Sequence, residues 1–277
     1  MNLVDRDGGH QVPENDSRLA SLGCASTARM YDAAQGGKQN FSADRAALQA
    51  AERLSADAGD ALVAHQQHVH RVVRHLAGQG VDQFVLYGTG LPSTGQAHET
   101  IHEVFPLARV VYAEKDPYML AHARAIAGRT GDRVRVVGCD LGDPAELLGD
   151  PMVRTFVDWA EPVAVGVMSV HEIPAHDVSW VGRLRRAMAA GSHLWLTALS
   201  MDAYETSLRA SVEAVNRDMG LTVHFRAREQ VLALFDGMEL LEPGLVWAPQ
   251  WRPDGTEVDL APERTAWLTG VATITGP

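Results

Sequence analysis

The sequence predicts an α/β protein: a doubly wound, mostly parallel sheet of seven strands with a helical cap on its N-terminal side. Three observations predict it. Short apolar runs begin at residue 83, helical patterns alternate with them, and each of the first four runs ends in a glycine, an acid or a histidine. Alternation of this kind builds βαβ units, and a parallel sheet covered on both faces buries its strands along their whole length.

The elements follow in order. Residues 43–79 read as helical, with Leu62, Val63, Val69, Val72, Val73 and Leu76 at roughly helical spacing, and Gly78 and Gly80 stop the pattern. The first strand, 83–87, is ended by Gly88-Thr89-Gly90, and a helix follows over 96–105. The second, 109–113, is ended by Glu114-Lys115-Asp116. Pro117 then opens a helix to about residue 127, in the first-turn position that proline favours. The third, 133–137, ends at Gly138-Cys139-Asp140. The fourth, 162–170, runs into His171-Glu172-Ile173-Pro174. A helix over 178–189 leads to a fifth strand at 193–199. Helices to about 218 and over 226–235 precede two late strands, 238–241 with 246–248, and 267–274. The predicted organisation is a disordered start over 1–25, a helical cap or lid over 26–60, and one α/β domain over 61–277.

Composition narrows the function. Acidic residues number 35 against 24 basic ones, a formal charge of −11, which repels phosphate backbones and argues against a nucleic-acid partner. The two cysteines, Cys24 and Cys139, make no disulfide framework and fit a reducing compartment. The opening residues have no apolar signal region, and no apolar run is long enough to span a bilayer. A cytoplasmic protein without a membrane partner is expected. If it oligomerises, a homodimer is the first expectation.

In open parallel sheets, ligands bind beyond the carboxyl ends of the strands. There the sequence puts glycines that let a ligand approach the backbone, Glu114 at the second strand to accept ribose hydroxyls, and Asp140 at the third to accept an exocyclic amine. Together they describe an adenosine site. A dinucleotide fingerprint needs a third glycine after Gly88-Thr89-Gly90, and Ser93 occupies that place; no phosphate loop occurs either. A nucleoside cofactor without phosphate fits better, and S-adenosylmethionine is the obvious one.

The stretches VLYGTGLPSTGQAHE (85–99), VVYAEKDPYMLAHAR (110–124) and CDLGDP (139–144) resemble the class I S-adenosylmethionine-dependent methyltransferases, with their Rossmann-like fold. The segments from Ala28 to Asp44, which holds GGKQNF, and from Glu242 to Asp254 resemble those of the branch known as S-adenosyl methyltransferases. The resemblance covers residues 28–270. It implies S-adenosylmethionine as cofactor, with Gly88, Thr89 and Gly90 along its methionine portion and ribose, Glu114 and Lys115 at the ribose, Asp140 and Leu141 at the adenine, and Ser169 beside them. Gly37 and Asn40 would belong to a lid over the cofactor. One position departs from the family, which usually has an aspartate two residues before the first loop glycine. Here Leu86 stands there, followed by Tyr87.

Methyl transfer needs an aligned nucleophile, excluded water and, for a protic nucleophile, a base. His171, just past the fourth strand, is the candidate base or orienter, with Glu172 beside it and Tyr204 at the rim. The expected function is methylation of an O, N or C nucleophile on a small molecule of specialised metabolism, the pocket being shaped by the N-terminal helices and residues 201–228. Chemistry on the cofactor's aminocarboxypropyl arm, or cofactor binding without catalysis, are the alternatives. Three features carry other readings. His98-Glu99-Thr100-Ile101-His102 matches a zinc-peptidase motif, but it follows a glycine loop and has no third ligand, so no metal is expected. The histidines 65, 68, 70 and 75 are expected on a solvated helix face. Trp180, Trp195 and Trp247 are expected in the core.

Overall fold

A computed structural model describes residues 23–89, 96–128, 130–140 and 142–275. Of the start predicted to be disordered, 1–25, residues 1–22 lie outside the described residues; so do Gly90 and Leu141. Three helices come first: α1 (Thr27–Ala34), α2 (Ser42–Leu54) and α3 (Ala58–Gly78). The helical pattern read over 43–79 is two helices. The chain turns extended at Ser55 (φ −144°, ψ 112°), and the Asp57 carboxylate is spent on Arg264 at 2.8 Å.

The sheet then alternates with helices: β1 (Gln83–Tyr87), α4 (Ala97–Val104), β2 (Arg109–Glu114), α5 (Pro117–Ala127), β3 (Val134–Gly138), α6 (Pro144–Gly149), α7 (Pro151–Phe156), β4 (Ala164–Val167), α8 (Ser179–Ala187) and β5 (His193–Leu199). After α9 (Thr206–Asp218) and α10 (Arg228–Ala233) come β6 (Glu239–Leu240), β7 (Val246–Trp247) and β8 (Trp267–Thr273). The order across the sheet is β3-β2-β1-β4-β5-β8-β6. The first five strands run parallel, and β8 pairs antiparallel with β5. The seventh place is shared, because both β6 and the equally short β7 lie along β8.

The pleat divides the core. Val85, Tyr87, Val111 and Ala113 face α6, α7 and α8 through Leu147, Val153 and Trp180. Phe84, Leu86, Val110 and Tyr112 face α3 and α4 through Val72, Leu76 and Ile101. Alternation with period 2 puts each strand residue on one layer or the other, and each such Val or Leu contributes about 1.5–3 kcal/mol by burial. Trp180 and Trp195 are fully buried, and Trp247 packs half-buried on the core. The short helices α6 and α7 follow a missed signal: Asp143-Pro144 and Asp150-Pro151 each place a capping carboxylate before a first-turn proline, and both carboxylates accept helix N–H groups.

The N-terminal helices are tied to the strand ends. Arg29 is buried and donates to Asp44 on α2 and to Asp116 after β2, both at 2.9 Å. Asp116 also caps α5, accepting from Tyr118 and Met119. One guanidinium therefore fixes α1 and α2 against the loop that follows Glu114. No described helix is long and apolar enough to cross a membrane.

Candidate active site

Beyond the ends of β2, β3 and β4 lies a cleft of about 470 Å³, lined by Thr27, Glu114, Lys115, Asp116, Asp140 and Glu172. A narrower recess continues it toward Gly88, Ser169 and His171. Glu114 Oε1 accepts from the N–H groups of Lys115 and Asp116, both at 2.8 Å, while Oε2 makes no hydrogen bond among the described residues. Burial pushes its carboxyl up to about 7. Asp140 is exposed and accepts from the Gly142 N–H at 2.8 Å. Gly88 is left-handed (φ 64°), and a Cβ there would overlap the Ser169 hydroxyl. That hydroxyl is buried with no partner among the described residues. Thr89 borders a small void with Tyr31, Gln35 and Tyr112.

Glu172 faces this cleft. It accepts from Thr27 Oγ1 at 2.9 Å and pairs with Lys115 Nζ at 2.6 Å, so it bridges the ends of β2 and β4. It lines the recess together with His171 and not the second cavity. Gly37 and Asn40 stand in the turn before α2. A Cβ on Gly37 would strike the buried Asp32 carboxylate, and Asn40 Nδ2 donates to Asp32 at 2.7 Å and to the Gly37 carbonyl at 2.9 Å. The turn is built on Asp32, and neither residue lines the cleft.

The second cavity, of about 170 Å³, lies between α1, α2, α3, α9 and the start of β8. Leu48, Leu62, Leu199, Met201, Val212 and Phe225 are part of its apolar wall. Tyr204 lines it too, and its hydroxyl donates to the Arg264 carbonyl at 2.6 Å. Three residues line both this cavity and the recess of the cleft: Thr27, Tyr31 and His171.

His171 is 3 % exposed, meets the Trp267 ring edge-on at 5.3 Å, and has no partner at either ring nitrogen among the described residues. Burial holds its imidazole down to about 4, so it is neutral near pH 7. Its backbone is clamped. The His224 N–H donates to the His171 carbonyl at 2.7 Å, and Arg226 donates to the carbonyls of Val170, Ile173 and Pro174 at 2.6–3.1 Å.

The histidines of α3 are a correction. His65 and His68 are buried, not solvated. His65 bonds Tyr31 and Thr197, each at 2.8 Å, and stacks on Trp267; His68 accepts from Trp195 Nε1 at 3.2 Å. In the peptidase-like motif, His98 bonds Tyr112 at 3.0 Å and His102 bonds the Ala108 carbonyl, so both are occupied structurally. No group of three possible metal ligands occurs among the described residues.

The family model for S-adenosyl methyltransferases matches residues 14–275. The chain belongs to the S-adenosyl methyltransferase family. Two solved structures agree. A protein from Thermobifida fusca YX, proposed to be a methyltransferase, is 34 % identical, with 92 % of this chain and 98 % of that one covered and a TM-score of 0.84. A duf574 family protein from Streptomyces avermitilis MA-4680 is 30 % identical over 91 % and 98 % of the two chains, with a TM-score of 0.85. No curated protein sequence matches significantly. The protein is an S-adenosylmethionine-dependent methyltransferase.

The methyltransferase has residues that suit this cofactor. Glu114 has a carboxylate oxygen to spare, Ser169 an unmet buried hydroxyl, and Gly88 a bare backbone at the cleft floor. The acidic cleft complements a sulfonium and an ammonium. Leu86 explains its own departure from the family: it is 1 % exposed, packed with Phe84 and Trp195 on the α3 side of the sheet. The acids of this cleft come from β2, β3 and β4 instead.

Proposed function

We propose that this methyltransferase acts on a small-molecule acceptor of specialised metabolism, with His171 as the base. The observation that carries the reading is that His171 stands in the wall shared by the cofactor cleft and the apolar cavity. Glu114 would hold the ribose hydroxyls and Asp140 the adenine amine. Ser169, Glu172 and the Gly88 backbone would flank the methionine portion, and Lys115 would keep Glu172 oriented. S-adenosylmethionine supplies an activated methyl group when bound. A neutral imidazole is free to accept the acceptor's proton; burial disfavours the imidazolium, so the ~10²–10⁴-fold of a base matched to the working pH is its ceiling. The net charge of −11 speaks against a nucleic-acid acceptor, and the apolar wall suits neither phosphorylated nor carboxylated central metabolites.

The test is release of S-adenosylhomocysteine when the enzyme is offered pools of small apolar metabolites. Methylthioadenosine as the product would overturn the reading in favour of chemistry on the cofactor's arm. With the acceptor in hand, His171→Ala is expected to lower kcat/KM by up to ~10²–10⁴-fold and leave cofactor affinity within about threefold, a shift no larger than one weak hydrogen bond. An unchanged kcat/KM would remove His171 from the reaction.

A further inference from the structure

The apolar cavity has one charged side chain among its described lining, Arg264, and that guanidinium already meets Asp57 through Nε at 2.8 Å. A charged acceptor would enter without a counter-ion, at heavy cost. The size is informative as well. An apolar cavity of about 150 Å³ holds benzene, so about 170 Å³ takes one ring with short substituents.

The polar end is set by a directed chain of hydrogen bonds. A carbonyl only accepts, so the 3.1 Å contact of Thr197 with the Met168 carbonyl uses the threonine hydrogen. Thr197 Oγ1 must then accept from His65 Nε2, at 2.8 Å. His65 Nδ1 is left as an acceptor and takes the Tyr31 hydroxyl hydrogen, also at 2.8 Å. Tyr31 therefore has no proton to offer the cavities, and its oxygen can only accept. His171, in the same shared wall, has a neutral ring with both nitrogens unmet. A protic group answers His171, and Tyr31, its hydrogen already spent on His65, offers none that would compete for the imidazole.

We infer that the acceptor is an uncharged, mostly apolar molecule of about one ring, whose single O–H or N–H donates to His171 beside Tyr31 and is methylated there. This rests on the proposed function. The acceptor atom forms the new bond to the methyl carbon, the cofactor's sulfur keeps the electron pair of the bond that breaks, and the acceptor's proton passes to His171.

Three probes decide it by calorimetry, with and without S-adenosylhomocysteine: para-propylphenol, para-propylanisole and para-hydroxyphenylpropionate. The phenol is expected to bind at least tenfold tighter than the carboxylate and about fivefold tighter than the anisole, the size of one neutral hydrogen bond. His171→Ala is expected to bring phenol and anisole within twofold. Leu208→Trp, which fills the cavity from α9, is expected to weaken phenol binding at least tenfold while S-adenosylhomocysteine binds unchanged. Retained S-adenosylhomocysteine binding shows the variant folded; Ala51→Leu on α2 fills the same cavity more gently and serves if it is not. Equal affinity for phenol and carboxylate, or phenol binding untouched by both fillings, overturns the inference. Failure to bind S-adenosylhomocysteine at all would sink the proposed function instead, and the probe order without it still decides the acceptor class.

Discussion

At the strand ends, Glu114, Asp116, Asp140 and Glu172 crowd one cleft, whereas the cavity behind His171 is walled by Leu48, Leu62, Val212 and Phe225. The two meet at Thr27, Tyr31 and His171. Their construction differs in kind. The acids of the cleft stand on short loops that each follow one parallel strand, so they are fixed by the sheet itself, while residues 25–28 and 220–222 close its other side. The cavity is made of helices brought together from the two ends of the chain, held by clamps such as Arg29 and Arg226. A sheet edge can present charge to water at little cost. A wall packed from helices buries its polar groups, and the chain from Tyr31 through His65 and Thr197 to Met168 satisfies them internally, whereas His171 is left unmet.

Leu86→Asp is the severest test of this division. If the cleft has drawn its acids from other strands, restoring an aspartate places a carboxylate in the buried apolar cluster that holds Phe84, Trp195 and Trp251. We expect a loss of about 3–5 kcal/mol in stability, from lost burial and an unpaired polar group, and no gain in cofactor affinity. Urea unfolding and calorimetry with S-adenosylhomocysteine measure the two. A stable variant that binds more tightly would mean that the position does face the cleft.

Glu114→Ala acts on the cleft alone. A hydrogen bond to a charged carboxylate is worth about 1.5–3 kcal/mol, so cofactor affinity is expected to fall roughly 10- to 100-fold. Binding of para-propylphenol in the neighbouring cavity is expected to stay within twofold. If both affinities fell together, the two regions would be one site.

The same division explains what could be read from the sequence. Glu114, Asp140 and Gly88 were legible because a βαβ pattern says where strands end, and ligands sit at those ends. His171 was legible for that reason too. Tyr31, Thr27 and Thr197 were not, because their roles arise only where α1 and α3 meet β5. His65 and His68 carried a signal that spacing could have shown: with Val72 and Leu76 they fall on one helical stripe, at i, i+3, i+7 and i+11. Their partners Thr197 and Thr269 stand on β5 and β8, more than a hundred residues away. Asn40 and Gly37 show the converse. Their motif was plain, but Asp32 buried beneath them decides what they do.

The two regions also oppose each other in pH. In the cavity wall, burial holds His171 down to about 4 and His65 to about 3, and lowers His68 as well; Glu172, Lys115, Arg226 and His224 act on His171, and Arg71 on His68, as smaller influences. An unfolded histidine takes up its proton near pH 6.5. Below that pH the unfolded chain binds protons that these folded histidines refuse. Their contribution is present in full above about 6.5 and is lost as pH falls toward 4. Glu114 does the reverse. Its folded carboxyl holds a proton up to about pH 7, whereas an unfolded one releases it near 4.3, so it favours the folded state at the acid end of the same window. The histidines outnumber it, and stability is expected to fall as pH is lowered from 6.5 to 5. Removing Glu114 takes away one opposing proton, so Glu114→Ala is expected to steepen that fall by up to about 1.4 kcal/mol per pH unit. Unfolding free energies of the two proteins at pH 6.5, 5.75 and 5 measure the difference. Parallel curves would show that the Glu114 carboxyl is already ionised in the folded cleft, and the acid end of the comparison would then belong to the cavity histidines alone.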